Sequence, residues 1–82
     1  MTDLRFSKPV VISVQPGLQR SIVGPDDAAD SLIRDWPRST LDDPLCIAAA
    51  GALAAALDGL LPVEAARMAF EAAARENHLI AD

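Results

Sequence analysis

Hydrophobic and polar positions change their period twice along this chain. Val10, Ile12 and Val14 alternate with Val11 and Ser13, a period of two rich in β-branched side chains that predicts a half-buried strand starting after Pro9. Gln15-Pro16-Gly17-Leu18 follows, with proline at the second position and glycine at the third, where a type II turn needs positive φ. The chain therefore reverses. Gln19 to Val23 alternates again, with Arg20 and Ile22 on one face and Ser21 and Val23 on the other. Two strands alone are marginal in water, so the apolar face of this hairpin has to rest on helices, and its free edges stay open to another strand.

After Gly24 the period becomes three and four. Pro25 suits a first helical turn, and Asp26 and Asp27 oppose the positive end of the helix dipole. Ala29, Leu32, Ile33 and Trp36 form the expected apolar stripe, Asp26, Asp30, Arg34 and Asp35 the outside, and Pro37 the end. A polar connector, Arg38 to Asp42, is short enough to keep the first two helices adjacent. A third helix from Pro62 to about Asn77 turns Val63, Ala66, Ala69, Phe70 and Ala73 inward, and sets Glu64, Arg67, Glu71 and Arg75 in an outer row of alternating sign. Leu79-Ile80 could add a short strand.

Between these two amphipathic helices the pattern loses its polarity. Leu45 to Leu57 carries no charge at all; with Asp43 as cap, Pro44 in the first turn and Gly59 as stop, it predicts a helix of about four turns from Pro44 to Asp58. A helix apolar on every side has to be covered on every side. Either the remaining chain wraps it or a second copy supplies the missing cover. Cys46, Ala50, Leu53 and Leu57 make its larger ridge, whereas Ala48, Gly51, Ala52 and Ala55 make a smooth one that would let another helix approach closely. The fold class is thus α+β, one domain over residues 1–82, with an antiparallel hairpin packed on three helices and this helix at the centre.

Composition narrows the function without naming it. The chain has 82 residues, 51% hydrophobic and 23% charged, which fits a compact globule with a small core. Its formal net charge of -5 repels polyanions, so nucleic acid is not an expected partner. One cysteine excludes an internal disulfide, and with no signal-like or membrane-length segment the expectation is a cytoplasmic protein that neither crosses nor binds a membrane.

Each chemical motif has a plainer explanation. Asp26-Asp27-Ala28-Ala29-Asp30 spells the DDxxD of magnesium-dependent prenyl transferases, but those enzymes need a large helical bundle and a second acidic helix; no metal or cofactor is expected. The turn at Gly59 resembles that of a helix-turn-helix, yet the following helix opens Pro62-Val63-Glu64-Ala65-Ala66, with a carboxylate where a DNA reader needs Arg, Asn or Gln. Cys46 sits near a helix start, where a thiol pKa can fall, although apolar neighbours favour an inert packing role; His78 would be its only histidine partner.

Trp36 is the sole tryptophan, so it is the candidate aromatic anchor for a protein partner, flanked by Arg34 and Arg38, if it is not core. Arg20, with Arg5, Lys8, Arg34 and Arg38, could line a small anion pocket. The leading expectation is a non-catalytic interaction module, a homodimer joined through a hairpin edge or through Ala48, Gly51, Ala52 and Ala55. The competing expectation is a small ligand-binding protein or thiol enzyme using Cys46 or an Arg-lined pocket.

Pro25-Asp26-Asp27-Ala28-Ala29, then Leu32 and Trp36-Pro37, are followed downstream by Ala56-Leu57-Asp58-Gly59 and by Glu64-Ala65-Ala66-Arg67-Met68-Ala69-Phe70-Glu71-Ala72-Ala73. In this order and spacing the chain resembles the short bacterial proteins of domain-of-unknown-function family 982. The resemblance implies the fold and a bacterial origin, and it implies no active site.

Overall fold

The computed structural model describes residues 4–37, 40 and 42–81. Strands β1 (Val10–Gln15) and β2 (Leu18–Ile22) form the antiparallel hairpin, and helices α1 (Pro25–Arg34), α2 (Pro44–Leu57) and α3 (Val63–Glu76) follow in order. The architecture is ββααα, as the periodicity predicts. Val10 pairs with Ile22 and Ile12 with Arg20, and the register breaks between Ser13 and Gln15. Gly17 has a φ of +80°, the value the type II turn requires at its third residue.

Both chain ends extend this small sheet. Ser13 N–H donates to the Leu79 carbonyl at 2.7 Å and Ala81 N–H to the Val11 carbonyl at 3.0 Å, so Ile80 bridges Ile12 along the outer side of β1. The expected C-terminal strand is therefore a single bridge. Phe6 N–H donates to the Val23 carbonyl at 2.8 Å, continuing the sheet beyond the end of β2. This arm crosses Gly24 so closely that a Cβ there would lie 2.6 Å from the Leu4 carbonyl oxygen, which is why the residue before α1 has no side chain.

Ile12 and Ile22 from the hairpin meet Leu53 and Phe70 from α2 and α3, and these are the largest fully buried apolar side chains. Trp36 is buried too, with its ring 5.5 Å from that of Phe70 and tilted by 48°. It packs on Phe70 of α3.

Two expectations fail at the helices. α1 ends at Arg34, so Trp36 lies beyond it; the fully buried positions of the helix are Pro25, Ala28 and Ser31, while of the stripe Ala29, Leu32, Ile33, Trp36 the last is buried, Leu32 packs partly against the core and Ile33 is exposed. Ile33 is 82% exposed. α1 packs chiefly on α2, and Arg20 from β2 also binds Asp27 and Asp30 on its acidic side. The second failure concerns α2, which is not enclosed. Cys46, Ala49, Leu53 and Ala56 face the core, but Ile47, Ala48, Ala50, Gly51, Ala54 and Leu57 face outward. The two neighbouring helices, α1 and α3, cover one side of it and leave the other bare.

α2 and α3 end in the same backbone motif. Leu60 N–H reaches the Ala55 carbonyl and Gly59 N–H the Ala56 carbonyl after α2; Leu79 N–H reaches Ala74 and His78 N–H reaches Arg75 after α3. The left-handed position is Gly59 in one (φ +76°) and His78 in the other (φ +59°). A side chain in that region costs about 1 kcal/mol. His78→Gly should therefore stabilise the protein by about 1 kcal/mol and Gly59→Ala destabilise it by a similar amount. Urea midpoints measure both, and equal midpoints for all three proteins would contradict the assignment.

Candidate functional site

The outward face of α2 is the most distinctive surface of the molecule. Ile47, Ala50, Ala54 and Leu57 run along it at helical spacing with Gly51 beside them, and no charged side chain interrupts the row. Ile47 is 60% exposed and Leu57 40%. A Cβ built on Gly51 would touch nothing, so the middle of the face is open as well as flat. Exposed contiguous apolar surface on a small domain marks a contact site.

Where α1 meets the first half of α2, this face dips into a cavity of about 210 Å³ lined by Leu32, Thr40, Cys46, Ile47 and Ala50. Its lining is largely apolar. A second, open groove of about 500 Å³ runs along α3 between Leu45 and Met68, with Arg67, Glu71 and Arg75 at its rim. Those charges satisfy one another: Arg67 binds Glu64 at 2.9 Å and Glu71 at 3.1 Å, and Arg75 binds Glu71 at 3.1 Å. The alternating row predicted from spacing is thus a chain of ion pairs.

Cys46 is tied into a polar clasp that joins the start of α2 to the end of α3. Asn77 Nδ2 donates to Asp43 Oδ2 at 2.8 Å and to the Ala73 carbonyl at 2.9 Å, which uses both of its hydrogens; the Cys46 sulfur lies 3.5 Å from both Nδ2 and Asp43 Oδ2. Asp43 stands at the cap position of α2, yet its carboxylate bonds Asn77 instead of capping the helix. That bond holds the Asp43 carboxyl below its ordinary pKa. Burial, followed by the adjacent Asp43 carboxylate, pushes the Cys46 thiol up, so helix-start activation does not prevail here. His78 is exposed at the α3 terminus, and the titratable group bonded to the sulfur is Asp43. Neither Asn77 nor its partnership with Asp43, 34 residues away, is legible from spacing.

The other candidate residues are dispersed. Arg20 is held by Asp35 at 2.5 Å, Asp27 at 2.7 Å and Asp30 at 3.3 Å, and these carboxylates raise its pKa further. It is neutralised, so it does not line an anion pocket. Arg34 is exposed and paired with Asp30 at 2.9 Å, and Arg38 lies outside the described residues. Trp36, being buried against Phe70, is a core residue and not a presented anchor. On the smooth ridge, Ala48 and Gly51 are exposed while Ala52 and Ala55 are half-buried, Ala52 against the core; the open row lies further round the helix, through Ile47, Ala50, Ala54 and Leu57. Among the described residues no group of three His, Cys, Asp or Glu is placed to hold a metal ion, and no helix is long and apolar enough to cross a membrane.

A family model described as a protein of unknown function, DUF982, matches residues 8–81. The chain belongs to this family. It is also similar to the solution NMR structure of Agrobacterium tumefaciens protein Atu1219, a structural-genomics target: 36% identity, 99% of this chain and 79% of that one covered, and a TM-score of 0.77. No curated protein matches. The family and the fold are thus shared, and neither description carries an activity.

One contact away from α2 makes a pH prediction. Ser7 donates to the Glu64 carboxylate through its backbone N–H at 2.8 Å and its hydroxyl at 2.6 Å, which together with Arg67 holds Glu64 at about 2, against an ordinary value of 4.5. Because the folded pKa is depressed, this anchor of the N-terminal arm is fully present above pH 4.5 and is lost as pH falls toward 2. Ser7→Ala should lower stability at neutral pH and converge with the wild type near pH 2, so that the fall across that window flattens. Denaturant unfolding of both proteins between those pH values is the check, and parallel acid profiles would contradict it.

Proposed function

We propose that this protein is a non-catalytic interaction module that works as a homodimer through the outward face of α2. The observation that carries the reading is a helix face with no charge, half of it apolar side chains at high exposure, on a chain whose net charge is -5. Asp42, Asp43 and Asp58 stand at the two ends of this face, and its uncharged middle offers nothing complementary to a charged partner.

The protein acts without a nucleophile or cofactor in this reading, since its one thiol is kept protonated beside a carboxylate. A cytoplasmic setting suits that reduced thiol, and the acidic balance disfavours nucleic acid. Size-exclusion chromatography with light scattering across the micromolar range tests the proposal: the expected mass is twice that of one chain, and a single-chain mass throughout refutes it.

A further inference from the structure

We infer that the cavity between α1 and the first half of α2 is a binding site for one small uncharged apolar molecule, a benzene ring with a short alkyl substituent in size. The inference goes beyond the self-association proposed above and does not rest on it. Its ground is the chemistry of the wall. Leu32 of α1 and Ile47 and Ala50 of α2 make the apolar sides, and Thr40 and Cys46 are the only polar side chains among the described residues that line it. Both are already engaged. The Thr40 hydroxyl donates to the Pro37 carbonyl at 2.6 Å, and the Cys46 sulfur lies 3.5 Å from both Asp43 Oδ2 and Asn77 Nδ2. No charged side chain among the described residues faces the space.

Such a wall selects by exclusion. A charged molecule entering here gives up its water and finds no open partner, whereas an apolar one takes its own surface and that of Leu32, Ile47 and Ala50 out of water together. Size sets the other limit. An apolar cavity of about 150 Å³ takes up benzene. This one, at about 210 Å³, has room for a single ring carrying a methyl or ethyl group. The wall is also in place before a ligand arrives, because the bond from Asn77 to Asp43 ties the start of α2, and Cys46 with it, to the end of α3.

Toluene tests the site, with benzoate and benzylammonium as controls that keep the ring and add one charge of either sign. On titration with toluene the methyl signals of Leu32, Ile47 and Ala50 should move together and saturate, and Cys46 should react with maleimide at least twofold more slowly. Each charged analogue should bind at least tenfold more weakly. Ala50→Leu sets a larger side chain across the cavity. Ala50 is exposed, so this variant should keep its fold by circular dichroism and lose toluene affinity at least tenfold.

Shifts that do not saturate, or that appear equally at Ile33 and Leu60, which are 82% and 80% exposed and lie outside the cavity, would mean loose partition onto apolar surface and would overturn the site. Charged analogues that bind as well as toluene, or a folded Ala50→Leu that binds it unchanged, would overturn it equally. If that variant does not fold, the wild-type titration and the two charged controls decide alone. A monomeric wild type that takes up toluene removes the proposed dimer and leaves the site standing, whereas a dimer that takes up none removes the site alone.

Discussion

Phe70→Ala is expected to cost about 3–5 kcal/mol, a large share of the stability of so small a domain. An 82-residue domain has about 4–12 kcal/mol of stability in total. Phe70 is fully buried where the hairpin, α2 and α3 converge, and its ring supports Trp36 at 5.5 Å, so truncation opens a void that no single neighbour can fill. The only tryptophan reports on this site directly. Urea unfolding followed by Trp36 fluorescence and by far-UV circular dichroism should show both signals shifted together. Phe70→Leu, which keeps most of the volume but loses the ring contact, should cost less than half as much. A loss under about 1 kcal/mol for Phe70→Ala would mean that the core does not converge on this ring.

Placing one charge on opposite faces of the same helix should give opposite results. Ala49 is fully buried against α3, so Ala49→Glu leaves an unpaired carboxylate in the core and is expected to prevent folding or cost several kcal/mol. Ala54 is exposed, so Ala54→Glu should change monomer stability by no more than about 0.5 kcal/mol. On the proposed dimer face, however, it adds a carboxylate from each copy to an uncharged contact, and the dimer should weaken more than tenfold. Circular dichroism and light scattering on both variants separate these effects. An Ala54→Glu protein that folds and dimerises like the wild type would move the interface off α2.

Much of the fold is legible in the sequence because local rules and tertiary packing agree there. Val10 and Ile12 alternate on a strand that buries them, Gly17 stands where the turn needs it, and Glu64, Arg67, Glu71 and Arg75 pair along α3 as their spacing dictates. The rotation of α1 is not legible. Packing on α2 decides it, with Arg20 adding ion pairs to carboxylates seven, ten and fifteen residues away, and Ile33 is left in water. The Asp43–Asn77 clasp is hidden for the same reason.

The candidate site is legible by its composition and not by its orientation. An uncharged segment from Leu45 to Leu57 announces that something must cover it, but apolar residues on every side carry no phase, so the pattern cannot say which side the rest of the chain takes. Packing against α1 and α3 decides that, and it places Cys46, Ala49, Leu53 and Ala56 inward. The smooth ridge through Ala48, Gly51, Ala52 and Ala55 is consequently split between surface and core, and the exposed row begins one residue earlier, at Ile47.

The most direct measurement is an isotope-filtered NOE experiment on a mixture of labelled and unlabelled protein, which detects only contacts between different chains. Intermolecular NOEs among the methyl groups of Ile47, Ala50, Ala54 and Leu57 are the expected result. Intermolecular contacts confined to the hairpin, or none at concentrations where the wild type is fully folded, would contradict it.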